Sequence, residues 1–234
     1  MCDDESKITL LAYLQAKTGE LNEELPSLQE LWKIDQYFNS LYYKNENASY
    51  DEPVLVDCGA YDGDSCKDFF KFTENKGHAY ALEPDEENYR KLESYAKEEG
   101  KILPIRKGVW NKETTLSFND NGRTDACLSE GNIGSAVEVT SIDNINFLDH
   151  VPTFIKMDIE GSEAEALKGA KNTISVYMPF LAICAYHKID DLLVLPKLIM
   201  YLSRENREFR YSFYLRIHSA LSQELVLYAV PTTK

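Results

Sequence analysis

Two groups of side chains along this sequence have the types and spacing to do chemistry. The first lies in Val54-Leu55-Val56-Asp57-Cys58-Gly59-Ala60-Tyr61-Asp62-Gly63-Asp64 and continues at Glu83-Pro84; the second is Lys156, Asp158 and Glu160, with His187 further along. In the first group Gly59 and Gly63 permit a tight turn and let a ligand approach bare backbone. A dinucleotide fingerprint G-x-G-x-x-G begun at Gly59 would need glycines at positions 61 and 64, which are Tyr61 and Asp64. Asp57, Asp62 and Asp64 would also repel a pyrophosphate, and no Lys or Arg follows until Lys67. The same acids suit a cofactor that is cationic and free of phosphate. S-adenosylmethionine, with a sulfonium and an ammonium, has that character. Glu83 stands 26 residues after Asp57 (83 − 57), at the end of the next apolar run, where a carboxylate can accept both ribose hydroxyls. The competing reading is that Asp57 and Glu83 only cap neighbouring helices.

These residues need elements to position them. Val54 to Val56 read as a buried strand with Pro53 at its start, running into the glycine turn and a helix over about 62–73. His78 to Pro84 predicts a second strand, Asp85 to Glu99 an amphipathic helix with acids in its first turn, and Ile102 to Val109 a third strand. Thr114 to Phe118 and Val137 to Val139 read as added strands around the polar loop Asn119 to Gly134, the candidate substrate or cofactor loop. Phe154 to Asp158 predicts a central strand, Ser162 to Asn172 a helix, and Phe180 to Tyr186 a buried strand that ends at His187. Pro196 is expected in the first turn of the helix that follows. Tyr211–Ile217 and Glu224–Val230 close the chain as an antiparallel pair. Alternation followed by a terminal hairpin predicts an α/β fold with a mostly parallel sheet and one antiparallel edge strand.

Residues 1–50 read as a separate helical segment, either a lid or a packing lobe, before a domain over 51–234. Ser6 is expected to cap its first helix, and Ser27 with Glu30 forms a capping-box signature for a second that would present Leu28, Leu31, Trp32, Tyr37, Phe38 and Leu41. The net charge of −14 argues against a nucleic-acid partner, whose phosphates require clustered Lys and Arg. No run of 18 apolar residues predicts a membrane span. Five cysteines without a CxxC spacing, behind an acidic N-terminus, predict a reduced cytoplasmic setting with neither a disulfide frame nor a zinc site.

Five segments, in order over about residues 53–231, resemble the FkbM-type family of S-adenosylmethionine-dependent methyltransferases. They are Val56 to Asp64, Tyr80 to Pro84, Ile155 to Glu163 with Ala166-Leu167-Lys168-Gly169-Ala170, Ala185-Tyr186-His187-Lys188 with Asp190-Asp191-Leu192 and Leu195-Pro196, and Leu215 to Ser219. The resemblance implies a class I methyltransferase (Rossmann-like) fold: a seven-stranded sheet, helices on both faces, the last strand antiparallel. It implies O-methylation of a hydroxyl on a sugar, polyketide or other small metabolite. Carried over residue by residue, Asp57, Gly59, Asp62, Gly63 and Glu83 become cofactor contacts, with Tyr61, Asp64 and Pro84 in the same segments. Asp158 stands at the carboxyl end of the fourth strand, over the methyl group. No Asn/Asp-Pro-Pro-Tyr/Phe tetrapeptide follows that strand, which disfavours the amines of nucleic-acid bases.

Methyl transfer to a hydroxyl needs alignment of the reactants and removal of the hydroxyl proton. Asp158, Glu160, His187, Lys156 and Lys188 fall at the carboxyl edge of the predicted sheet, where ligands bind in open α/β folds. His187 is the first choice for base, since an unperturbed histidine titrates near neutrality; the alternative is a histidine that orients a loop. Asp158 can bind the acceptor, contact the cofactor amine, or hold a divalent ion together with Glu160 and His187. The spacing does not demand a metal, and none is expected. Glu160, Lys156 and Arg123 are the expected acceptor contacts. His78 is expected to be structural, and His218 to lie on the surface. Two other functions compete: N- or C-methylation of a small metabolite, and a catalytically silent cofactor-binding partner subunit. The sequence leaves a homodimer open.

Overall fold

The structure is a computed structural model that describes residues 1–19, 24–48, 51–119, 127–129, 135–219 and 224–234. In chain order it contains α1 (Asp4–Thr18), α2 (Leu28–Leu31), a 3-10 turn (Tyr42–Lys44), β1 (Val54–Cys58), α3 (Asp64–Phe72), β2 (His78–Leu82), α4 (Glu86–Glu99), β3 (Ile102–Ile105), β4 (Gly108–Val109), β5 (Thr114–Asn119), β6 (Cys127–Ser129) and β7 (Ser135–Thr140). A second 3-10 turn (Ile142–Asn144) leads to β8 (Phe154–Met157), α5 (Glu163–Lys168), α6 (Lys171–Tyr177), β9 (Phe180–Cys184), α7 (Asp191–Leu202), β10 (Phe209–Ser219) and β11 (Glu224–Thr233).

Seven strands form one sheet in the order β10-β11-β9-β8-β1-β2-β3, and β4-β7-β5-β6 form a small second sheet. The predicted antiparallel pairing at one edge is present: β11 runs against both β9 and β10, while the other pairs are parallel. Strands β1, β8 and β9 are buried along their whole length, as expected of a parallel sheet covered on both faces. Alternate residues feed two cores. Val56, Ile155, Met157 and Ile183 pack with α5, α6 and α7 on one face. Leu55, Phe154, Phe180 and Tyr228 pack with α3, α4 and Phe38, Leu41 and Tyr42 on the other. The chain builds β1, β2 and β3 outward, then returns to place β8 on the other side of β1. Ligands bind at such a switch point, outside the carboxyl ends of the strands.

The N-terminal segment lies against the far end of the sheet. Leu215 donates its amide to Ser6 Oγ (3.0 Å), Arg216 pairs with Asp3 (2.6 Å) and Glu5 (3.2 Å), and Cys2 donates its amide to the Phe213 carbonyl (2.9 Å). The cap of α1 is therefore Asp3, and the predicted cap Ser6 is a buried bridge between α1 and β10.

Other boundaries differ for identifiable reasons. The Ser27–Glu30 capping box is intact, but its helix stops at Leu31, because Trp32 forms a bridge to Ile217 and Lys33 donates its amide to the Ile217 carbonyl. The predicted third strand splits at Arg106-Lys107, where the Lys107 amide turns back onto the Ile105 carbonyl. The predicted helix over 162–172 breaks at Gly169, where a side chain would meet the Trp110 carbonyl at 2.2 Å. Pro196 is the sixth residue of α7 instead of a first-turn residue, since the helix starts at Asp191. Its missing N–H leaves one rung of the helix unmade. Among the described residues no helix is long and apolar enough to cross a membrane.

Candidate active site

At the carboxyl end of β1 the chain enters the turn Gly59 to Gly63. Gly59 (φ +80°) and Gly63 (φ +91°) both occupy the left-handed region that disfavours side chains. A Cβ on Gly59 would sit 2.0 Å from the Asp158 carbonyl oxygen, so this turn and the end of β8 touch through backbone. Gly59→Ala is expected to lower the melting temperature and abolish ligand binding at the corner; unaltered melting in a thermal scan would contradict this contact.

Glu83 closes the other side of the turn. Its carboxylate accepts the amides of Tyr61 and Asp85, each at 2.9 Å. The side chain is buried, and burial pushes its pKa up against the opposing pull of those amides. Glu83 thus organises the corner as well as facing it. Tyr61 (φ +49°) projects its ring half into solvent. Asp62 Oδ1 is buried without a hydrogen-bond partner. Asp64 is exposed at the start of α3, where its carboxylate accepts the Ser65 amide (2.7 Å). Pro84 is half-buried beside Glu83.

The sequence groups Asp57 and Lys156 with the ligand contacts; the structure pairs them with each other. They are register partners on β1 and β8, on the same side of the sheet. Lys156 Nζ lies 3.1 Å from Asp57 Oδ1 with both side chains inaccessible, and it donates to the Gly59 carbonyl (2.6 Å). Burial opposes the Lys156 cation, but Asp57 and Asp158 outweigh it and hold its pKa above the ordinary lysine value. Ser65 Oγ donates to Asp57 Oδ2 (2.8 Å). Both side chains sit behind the turn and brace it.

Asp158, Glu160 and His187 come together at the carboxyl ends of β8 and β9. Asp158 Oδ2 accepts the Tyr37 hydroxyl (2.9 Å), and Oδ1 accepts the Tyr186 hydroxyl at 3.4 Å. His187 Nδ1 meets Glu163 Oε1 at 2.9 Å, and that oxygen also accepts the Ile159 amide (3.1 Å). Because that oxygen already accepts backbone amides from Ile159 and Gly161, it accepts from Nδ1–H as well, and the neutral ring keeps its lone pair on Nε2. That nitrogen is buried without a hydrogen-bond partner, 3.5 Å from Asp158 and 3.6 Å from Glu160. Burial works against the imidazolium, but Glu163, Asp158 and Glu160 together raise the His187 pKa above 6.5. Glu160 itself is exposed and sits at φ +52°, beside Gly161 at φ +86°. That sharp turn brings β8 round to α5 and carries Glu163 under the ring.

Glu163 and Tyr37 carry no functional signal in the sequence. Glu163 reads there as an ordinary first-turn acid, and nothing local marks a tyrosine 121 residues from its carboxylate partner. Lys188 is exposed, and its amide donates to Asp191 Oδ2 (2.7 Å). Arg123, Asp125 and most of the loop around them lie outside the described residues. His218, expected on the surface, is buried and bonded to Tyr228, because the N-terminal segment covers it. His78 stacks on His150 far from this edge, with ring centroids 4.1 Å apart. Among the described residues, no group of three or more His, Cys, Asp and Glu side chains is arranged to hold a metal ion.

Comparison with known proteins adds the family. Residues 57–212 match the methyltransferase FkbM domain. The chain is similar to the hexuronic acid methyltransferase AglP of Haloferax volcanii, with 28% identity over 160 residues, 63% of each chain. Among solved structures, the methyltransferase FkbM from Methylobacillus flagellatus KT is 29% identical with a TM-score of 0.73, covering 98% of this chain and 56% of that one. A putative rRNA-methylase from Clostridium thermocellum shares the fold alone, at 8% identity and a TM-score of 0.50 over 86% of this chain and 99% of that one. This chain therefore spans less than two thirds of the length of the two nearer relatives. With a family match that begins at Asp57 and runs through Glu83, Asp158 and His187, the chain belongs to the FkbM methyltransferase family.

Proposed function

We propose that the chain binds S-adenosylmethionine at the Gly59–Gly63 corner and transfers its methyl group to a hydroxyl of a sugar or another small metabolite. The observation that carries this reading is a buried, unpartnered His187 Nε2, oriented by Glu163, at the same sheet edge as the Glu83-braced glycine turn. The corner suits the cofactor on its own chemistry. Asp62 offers a buried acceptor that lacks a donor, and Glu83 a second carboxylate, a set that welcomes hydroxyls and positive charge and repels phosphate. Glu83 would hold the ribose hydroxyls, Asp62 and the backbone of Gly59 to Gly63 the rest, with Tyr61, Asp64 and Pro84 along the rim. Asp57 and Lys156 act from behind by fixing the Gly59 carbonyl.

When bound, the cofactor supplies a methyl carbon already activated by a sulfonium. The residues of the chain orient the acceptor and take its proton. Asp158 and Glu160 flank His187 Nε2 and can accept hydrogen bonds from neighbouring hydroxyls of the acceptor. His187 Nε2 receives the proton, and Glu163 stabilises the imidazolium that forms. A sugar hydroxyl as acceptor draws support from the Haloferax volcanii relative, whose name records a hexuronic acid as its substrate.

A panel of sugar and metabolite hydroxyls incubated with S-adenosylmethionine tests this reading. The expected result is release of S-adenosylhomocysteine together with methyl mass gain on a hydroxyl; methylation confined to amines or carbon would remove it. Glu83→Ala is expected to weaken cofactor affinity about 10- to 100-fold, the range of a lost hydrogen bond to a charged group. Calorimetry of the variant reads that loss, and unchanged affinity would take Glu83 out of the site.

A further inference from the structure

A chain of contacts outside the family match ties the N-terminal segment to Asp158. Trp32 bridges to Ile217, and its indole N–H donates to the His218 carbonyl. His218 Nδ1 meets the Lys33 carbonyl at 3.0 Å, and its Nε2 meets the Tyr228 hydroxyl at 2.8 Å. That hydroxyl also reaches the Gln36 carbonyl (3.3 Å). Gln36 Nε2 donates to the Tyr37 hydroxyl (3.1 Å), which donates to Asp158 Oδ2 (2.9 Å). Burial lowers the His218 pKa to about 4, so this histidine is a neutral connector at working pH. The strap is fastened on its other flank by Phe38, whose ring packs against Phe154 (centroids 4.9 Å) and Phe69 (5.6 Å). Residues 32–38 thus run from Ile217 on β10, past Tyr228 on β11, to Asp158 behind the carboxyl end of β8, where the Tyr37 hydroxyl reaches the reacting edge.

We infer that Tyr37, mounted on this strap, is a positioning residue of the methyl-transfer site: its hydroxyl fixes the Asp158 carboxylate against His187. The inference rests on the proposed function for its catalytic meaning. Tyr37 binds one carboxylate oxygen of Asp158, and the other faces His187 Nε2 at 3.5 Å. With Oδ2 anchored, Oδ1 is held in one orientation toward the imidazole and toward any acceptor hydroxyl between them. The Tyr37 ring does separate work. It lies 5.3 Å from Lys156 Nζ and packs edge-on against Phe38 at 6.3 Å, contacts that a phenylalanine would keep. Burial first, then Cys184 and Asp158, push the Tyr37 pKa far up, so the hydroxyl keeps its proton and remains a donor.

Tyr37→Phe therefore removes the donor and spares the packing. Two readouts are taken on the full chain. The first is the NMR titration of the His187 ring, which needs neither cofactor nor acceptor. The charged and titratable groups facing that ring are Asp158 and Glu160 after β8, Glu163 on α5, Asp191 on α7, and Tyr186 and Lys188 beside it. Without the Tyr37 donor, the Asp158 charge falls more fully on His187, and its midpoint is expected to move upward with the melting temperature retained. An unmoved midpoint overturns the inference, whatever the enzyme's substrate. The second is steady-state turnover: kcat/KM for the acceptor is expected to fall about 10- to 100-fold, with cofactor affinity kept. Equal kcat/KM in variant and wild type overturns the catalytic meaning alone. A wild type that methylates nothing in the panel fails the proposed function and leaves the titration to decide the contact.

Discussion

Replacing His187 with alanine is expected to lower kcat by about 10²- to 10⁴-fold, the usual contribution of a positioned general base, with S-adenosylmethionine affinity retained. The split follows from the geometry. His187 Nε2 faces Asp158 and Glu160, whereas the corner proposed for the cofactor is built on Glu83 and the Gly59 turn. Turnover that survives the substitution would remove His187 as base, and a parallel loss of cofactor binding would make it structural. The pH profile gives an independent check. The base must be neutral, and Glu163, Asp158 and Glu160 hold its pKa above 6.5 in spite of burial. Activity should therefore rise with pH through a midpoint above 6.5. Stability runs the other way. A raised folded-state pKa means the protonated ring stabilises the fold; that contribution is complete below the unfolded value and disappears as pH climbs through the folded one. Glu163→Gln should bring the midpoint back down and reduce turnover together, because it removes both the charge and the fixed tautomer.

Lys156→Met carries the second large effect, on stability. It leaves the fully buried Asp57 carboxyl group without its cation, a change that costs about 3–5 kcal/mol when one partner of a buried pair is lost. For a chain of this size, about 2–4 °C of melting temperature per kcal/mol makes that a drop of roughly 6–20 °C. The pair need not be a large net stabiliser for this to hold, since the cost is that of the stranded carboxyl group. The double variant Asp57→Asn/Lys156→Met should recover part of the loss by removing that carboxyl group. The single variant should also loosen the cofactor, because Lys156 Nζ holds the Gly59 carbonyl. A single variant that melts like the wild type, or a double variant no more stable than the single, would contradict the buried-pair account.

Much of this arrangement could be seen in the sequence because its cues were local. The apolar run into Gly59, the spacing to Glu83, the alternation of strands and helices, and the closing hairpin each rest on neighbouring residues. They were enough to put Glu83, Asp158 and His187 at one sheet edge. What stayed hidden depended on distant partners. Asp57 and Lys156 read as ligand contacts until parallel register sets them side by side. Glu163 looks like a helix-dipole acid until the left-handed turn at Glu160-Gly161 carries it beneath His187. The stretch from Leu28 to Leu41 has helical spacing, yet pairing of Trp32 and Lys33 with Ile217 captures the backbone first. Tyr37 belongs to that captured segment, so neither its place at the site nor the burial of His218 had a local cue.

Isothermal titration of the full chain with S-adenosylmethionine tests whether the Gly59–Gly63 corner holds that cofactor. The expected result is one site per chain, binding of both S-adenosylmethionine and S-adenosylhomocysteine, a clear loss of affinity in Glu83→Ala, and little loss in His187→Ala. Absence of heat and of any thermal-shift response with both ligands, in a folded wild-type chain, would contradict it.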